Sequence, residues 1–140
     1  MKNSLKLLVP AALAFFTQFA SAHEQVHSAD IYGVWHVEAP LVDNNYVYTT
    51  GDLSLTEDSI SFVATCLYSN GPELTAEVSS PVDYGTSHFN ILQNHHTETS
   101  SGNANCVADL RAGLIEFRMY GSNRLVIFNR NTGFRMSLVR

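Results

Sequence analysis

Cationic residues are absent from most of this sequence. Eight lysines and arginines stand against 13 aspartates and glutamates, which gives a net charge of −5 at pH 7. Residues 23–110 contain neither lysine nor arginine. An acidic chain repels phosphates, so nucleic acid is not an expected partner. All the arginines lie in residues 111–140, and they are Arg111, Arg118, Arg124, Arg130, Arg135 and Arg140.

This uneven charge distribution has two interpretations. Both halves of the chain are rich in alternating apolar residues, as folded segments are, so neither half is a charged tail. In the first interpretation, the arginine-rich strands lie beside acidic strands, and their positive charges offset the negative charges of those strands. In the second, the arginines form a local row that binds an anionic ligand.

Apolar segments long enough to cross a membrane, which requires about 20 residues, are also lacking. The longest apolar stretch lies within residues 1–22, where polar residues interrupt it. It follows Lys2 and Lys6 and precedes the small-residue cleavage pattern Ala20-Ser21-Ala22, as in a secretory signal peptide. We therefore predict that residues 1–22 are removed. The mature chain then begins at His23, has no membrane span, and is periplasmic or secreted.

Cysteine is scarce: the sequence contains two, Cys66 and Cys106, and has no CxxC motif. In an exported chain this pair predicts a disulfide bond. The alternatives are a pair of thiolate metal ligands or a free nucleophile.

The mature chain lacks any convincing helical periodicity. Its apolar residues alternate with polar ones, which is typical of half-buried strands. In the clearest example, residues 114–120, Ile115 and Phe117 point one way while Glu116 and Arg118 point the other. Eight to ten short strands separated by turn residues predict an all-β fold. We expect an antiparallel up-and-down barrel of about eight strands, because closure removes exposed sheet edges.

The domain organisation predicted for the mature chain is simple. Residues 23–30 are polar and aperiodic, so we expect a flexible N-terminal leader. Residues 31–140 are expected to form a single barrel domain with one core. The longest polar stretch, residues 95–105, predicts a mobile loop or a frayed hairpin.

The first strand contains Gly33-Val34-Trp35, and the last strand carries Arg135 and Arg140. This pattern resembles that of the lipocalins and related calycins, in which a late arginine packs across the tryptophan. The resemblance implies a closed eight-stranded barrel. Glycine lets the strand bend at the floor, the indole fills the floor, and a guanidinium covers the ring by a cation–π contact. We assign this structural floor to Gly33, Trp35 and Arg135.

Residues 23–27, His-Glu-Gln-Val-His, match the HExxH pattern of zinc proteases. That motif requires a helix, which is not predicted here, so we do not infer a metalloprotease. Cleavage before His23 would instead leave a free amine beside its imidazole, and with His27 this ligand set suits copper. The alternative is a solvated leader histidine. Other histidines that can supply the second nitrogen are His36, His88, His95 and His96.

The sequence also lacks the motifs of catalysis, since it has neither a GxSxG elbow nor a phosphate-binding glycine loop. We therefore expect a non-enzymatic binding protein without a cofactor. The first hypothesis is a small apolar ligand in the barrel mouth, with Tyr46, Tyr48 and Tyr68 as candidates for its rim. The second is a protein-binding barrel, such as an inhibitor of a secreted hydrolase, that inserts residues 23–30 or 95–105. The third is copper binding through His23.

Overall fold

A computed structural model describes residues 27–39, 41–43, 47–69 and 71–140. The predicted signal peptide and the first half of the predicted leader, residues 23–26, lie outside these residues. In the described part, a short 3-10 helix, Ser28–Ile31, precedes the strands, so this part of the leader has regular structure. The strands are β1 Gly33–Val37, β2 Leu41–Asp43, β3 Val47–Leu55, β4 Ser59–Tyr68, β5 Glu73–Tyr84, β6 His88–Ile91, β7 His95–Ser101, β8 Ala104–Leu110, β9 Gly113–Tyr120, β10 Arg124–Asn129 and β11 Phe134–Val139.

Eight of these strands close into a barrel. The order around the barrel is β1, β3, β4, β5, β6, β9, β10 and β11, and β11 pairs back with β1. Every neighbouring pair is antiparallel. The short β2 extends the barrel wall, because it pairs with the part of β3 that β1 does not reach. The predicted all-β antiparallel barrel of eight strands is therefore confirmed.

Side chains alternate between the two faces of the barrel wall. On β9, Phe117 is buried inside the barrel, whereas Arg118 is exposed on its outer face. The long strand β5 alternates over its whole length, with every second residue from Leu74 to Val82 buried. The two faces of β5 thus divide as the sequence predicts.

The segment predicted as a mobile loop or frayed hairpin forms a regular hairpin, β7–β8, inserted between β6 and β9. Its β8 strand packs against β4 and β5. The side chains on one face of β8 are buried, and among them Cys106 forms the predicted disulfide with Cys66 of β4. Tyr68 adds a second link, because its hydroxyl donates to the carbonyl of Asn105 and accepts from the Asn105 N–H at 2.7 Å. β7 is polar because its side chains are mostly exposed.

The floor of the barrel is built around Trp35, whose side chain is completely buried. The indole N–H donates to the carbonyl of Ile31 at 2.8 Å. A guanidinium lies over the indole, 4.3 Å from the ring centroid, and it belongs to Arg140. Gly33, with a φ of +124°, adopts a backbone conformation that favours glycine, and it lies beside this guanidinium.

The structure therefore places Arg140 in the position that the sequence analysis gave to Arg135. Arg135 is opposite Phe128 on the outer face of the barrel, near the start of β11. β11 runs antiparallel to β1, so its end, and not its start, reaches the floor where β1 begins. Arg140 directly follows β11 and is the arginine that reaches Trp35.

Candidate functional site

A cavity of about 450 Å³ lies inside the barrel. Its deep wall consists of apolar side chains from six of the eight barrel strands. Interiors of eight-stranded barrels are often just filled by side chains, so a cavity of this volume needs a local cause. The apolar side chains of the wall are Leu53, Ile60, Phe62, Phe89, Ile91, Ile115, Ile127 and Met136.

Two inward-facing glycines help to keep the interior open. At Gly51 of β3, an added Cβ would lie 2.4 Å from Cζ of Phe62. The ring of Phe62 therefore occupies the space beside β3 that a side chain at Gly51 would fill, and the middle of the barrel is left free. At Gly113, which begins β9 and lines the cavity, an added Cβ would meet no atom within 4 Å.

The cavity reaches the surface between two connections, the β8–β9 loop and the β10–β11 turn. In the loop, the Arg111 Nε donates to a carboxylate oxygen of Asp109 at 2.9 Å. His96 lies on the other side of this carboxylate, with its Nδ1 at 3.8 Å. From the turn, the half-exposed ring of Phe134 forms an apolar lip. The polar groups that line the cavity thus concentrate at its mouth.

Asn129 builds the β10–β11 turn. Its side-chain carbonyl accepts hydrogen bonds from the N–H groups of Asn131 at 2.9 Å and Thr132 at 3.2 Å, as in an Asx turn. Its amide donates to the carbonyl of Leu114 on β9 at 3.0 Å. This residue therefore fixes the turn and ties it to the neighbouring strand, which holds one side of the mouth in place.

Tyr84 is an unusual residue at the barrel wall, near the opposite end from the mouth. Among the described residues, its hydroxyl is the buried side-chain oxygen that has no hydrogen-bond partner. The ring contacts Tyr32 edge-on at 5.3 Å and Phe89 at 5.8 Å. Burial, followed by the nearby Tyr32 and Asp58, raises the pKa of Tyr84 well above its usual range. The tyrosine therefore stays neutral, and it lies outside the cavity lining.

The site residues proposed from sequence do not coincide with the residues that line the cavity. The hydroxyl of Tyr68 donates a hydrogen bond to the carbonyl of Asn105 in β8, and the side chain does not line the cavity. Tyr46 and the side chain of Tyr48 lie outside the described residues, as does His23. His27 is described, and its backbone N–H donates to the Asp30 carboxylate at 2.9 Å. In the described part of the chain, no three His, Cys, Asp or Glu side chains are grouped to hold a metal ion.

The residues of the mouth were not predicted as a site from the sequence. Asp109, Arg111, Asn129 and Phe134 all stand next to turn residues, and that position is the signal that marks them as near a barrel end. Periodicity identifies the face of a strand, but it does not tell which loops gather at the same end.

In the part of the chain that the structure describes, no helix combines the length and apolarity needed to cross a bilayer. Comparisons with protein-family models, with curated proteins and with solved structures give no match for this chain.

Proposed function

We propose that this protein is an exported, non-enzymatic, lipocalin-like binding protein that holds a small apolar ligand inside its barrel. The observation that carries the proposal is the cavity of about 450 Å³ with an apolar deep wall. Ligand sites in proteins are typically cavities of about 300–1,000 Å³ lined by apolar side chains with a few polar groups. The arrangement of Trp35 and Arg140 at the floor supports the likeness to lipocalins.

The cavity also limits the size of the ligand. A water-sized group takes about 30 Å³, so the volume suits a ligand of roughly 15 non-hydrogen atoms. The ligand is apolar along most of its length, because unpaired polar groups would lose their hydrogen bonds with water at the deep wall. One polar group can be accommodated at the mouth, beside Asp109 and Arg111.

Two arguments favour small-molecule binding over the alternatives. The titratable side chains in the cavity lining are Asp109 and Arg111, which pair with each other at the mouth. Among the described residues, the deep wall therefore offers no acid, base or nucleophile for catalysis. A barrel that acts only through its outer surface has no need of an interior cavity, and this favours a small ligand over an inhibitor of a secreted hydrolase. The disulfide supports the proposed periplasmic or secreted location.

The test is a titration of the purified protein with N-phenyl-1-naphthylamine, a neutral probe that becomes fluorescent in apolar surroundings. The variant Ile115→Trp places a large ring in the cavity, and its matched control, Leu114→Trp, places the same ring on the outer face of β9. We expect saturable binding to the wild type and to Leu114→Trp, and at least a tenfold weaker affinity in Ile115→Trp.

Circular dichroism and thermal unfolding verify that both variants remain folded. Equal affinity of the two variants would show that the probe binds elsewhere, and a wild-type protein that binds neither this probe nor other neutral apolar compounds of similar size would refute the proposal.

A further inference from the structure

Four arginines lie along the outer face of β9, β10 and β11, on a surface that we call the arginine wall: Arg118, Arg124, Arg130 and Arg135. All four are exposed. Successive outward positions on β10 are Arg124, Val126 and Phe128, and the strand register places Arg118 beside Val126 and Arg135 beside Phe128. Two residues of an antiparallel strand span roughly 7 Å, so the wall presents a cation at each of three successive levels. Arg130 follows in the turn after β10.

Aromatic rings hold three of these guanidinium groups in position. The ring of Phe128 has Arg118 at 5.5 Å and Arg130 at 5.8 Å from its centroid. The guanidinium of Arg124 lies 5.9 Å from the centroid of the Tyr120 ring. Such contacts reduce the freedom of long side chains, so less entropy is lost when they bind a ligand.

The arginine wall carries an excess of positive charge on an otherwise acidic molecule. Arg130 pairs with Glu116 at 3.0 Å and Arg124 pairs with Glu38 at 3.2 Å. Among the described residues, Arg118 and Arg135 have no carboxylate within 4 Å. The opposite side of the barrel, around β4, contains no lysine or arginine. The molecule is therefore polarised, with an open cationic row on one side.

We propose that the arginine wall is a docking surface for an acidic polysaccharide, a linear polymer that bears a carboxylate on its sugar rings. The planar guanidinium fork matches a carboxylate with two parallel hydrogen bonds. The backbone positions of Arg124, Arg118 and Arg135 follow one another at intervals of roughly 7 Å, so the surface offers several cations to an extended polymer with repeated negative charges. This site is on the outside of the barrel and is separate from the cavity, so it does not depend on the ligand proposed above.

Two observations favour a carboxylated polymer over a nucleic acid. The half-buried ring of Phe128 already has two guanidinium groups over it, which disfavours its use for base stacking. Glu116 and Glu38 lie within the row, and the whole chain has a net charge of −5. A densely charged phosphate backbone is repelled by these carboxylates more strongly than a polymer with one charge on each sugar.

The test measures binding of hexagalacturonate by calorimetry at low ionic strength, with the fully methyl-esterified hexamer as a neutral ligand of the same length. Arg135→Gln removes one cation from the wall. Its matched control, Arg111→Gln, removes one cation from the cavity mouth and causes the same change in net charge. We expect the charged hexamer to bind and the ester not to bind. Arg135→Gln should weaken affinity about three- to tenfold, with a shallower dependence on salt, whereas Arg111→Gln should leave it unchanged.

Thermal unfolding verifies that both variants fold as the wild type does. Three results would overturn the proposal: no binding of the charged hexamer, equal binding of the ester, or the same loss in Arg111→Gln as in Arg135→Gln. A single-stranded oligonucleotide or an oligoglutamate that binds the wall more tightly than the hexamer would also overturn it, by assigning the surface to a different partner.

Discussion

The loss of stability on replacing an arginine can be predicted for Arg140 and for Arg135. The comparison tests which of the two covers Trp35 at the floor of the barrel. In Arg140→Met the side chain keeps much of its apolar length but loses its charge and its hydrogen bonds. Those bonds run from Nε to the carbonyl of Ser122 at 2.9 Å, and from the two terminal nitrogens to the carbonyls of Tyr32 and Asp30, each at 3.2 Å. One side chain therefore links the segment just before β1 to the β9–β10 turn.

The expected loss follows from these contacts. A cation–π contact contributes about 0.5–2 kcal/mol, and each hydrogen bond contributes about 0.5–1.5 kcal/mol. Because Arg140 is exposed to solvent, we take the lower part of each range and expect Arg140→Met to lower the free energy of unfolding by about 2–4 kcal/mol. At roughly 4 °C for each kcal/mol in a domain of this size, Tm falls by about 8–16 °C.

The measurement is thermal unfolding followed by tryptophan fluorescence, which reports on the floor because Trp35 is the single tryptophan of the chain. Arg140→Lys keeps the charge without the planar fork, so it should recover at most half of the loss. The matched control Arg135→Met should change the free energy of unfolding by less than about 0.5 kcal/mol, because its side chain is on the outer surface. If Arg135→Met were as destabilising as Arg140→Met, the assignment of the floor would be wrong.

Two further predictions concern the rest of the barrel. Replacing Cys66 and Cys106 together by alanine should lower the free energy of unfolding by about 4 kcal/mol, because the bond closes a loop with a sequence separation of 40; a denaturant midpoint equal to that of the wild type would contradict this. Tyr84→Phe should raise stability by up to about 1 kcal/mol, because it removes a buried hydroxyl without a partner. As the pKa of Tyr84 is raised in the folded state, stability due to this residue is fully present below about pH 10 and is lost at higher pH. Chemical denaturation at pH 8 and pH 11 should therefore show a smaller loss in Tyr84→Phe, and an unchanged pH dependence would contradict the assignment.

The barrel itself could be predicted because its information is local and repetitive. Most strands alternate between an apolar and a polar side, and many of the turns between strands carry glycine, asparagine or aspartate. The long strand β5 follows this pattern closely, with Ser80 as the polar exception on its buried side. The same pattern leaves a barrel or a sandwich as the ways to cover one buried face, and closure into a barrel is favoured because it removes the exposed sheet edges.

The same alternation also bears on which arginine lies at the floor. Phe134, Met136 and Leu138 alternate with Arg135 and Ser137, so Arg135 belongs to the outward-facing side. Strict alternation thus favours Arg140 over Arg135 for a position beside Trp35, and the sequence contained the signal that corrects the assignment.

The mouth could not be predicted in this way, because it depends on which loops meet at one end. The β7–β8 hairpin separates β6 from β9 in sequence, although these strands are neighbours in the barrel. The contribution of Asp109 and Arg111 to the cavity therefore becomes visible only when the hairpin has a known position. The cavity volume is equally inaccessible from sequence, since it depends on small differences such as the missing side chain at Gly51.

The cavity and the stability of the protein are physically coupled. Apolar side chains that line a cavity lack the packing contacts that a filled core supplies, so an unfilled interior stabilises the fold less than a packed one. The floor, the disulfide and the Asn129 turn link parts of the barrel at three separate places. A ligand that fills the cavity binds only the folded state, and at a concentration about 100 times its dissociation constant it adds about 2.7 kcal/mol of stability. Thermal stability therefore reports occupancy for any compound that enters the cavity, whatever its chemical identity. The Ile115→Trp variant, whose cavity is blocked, distinguishes ligands of the interior from those of the outer surface.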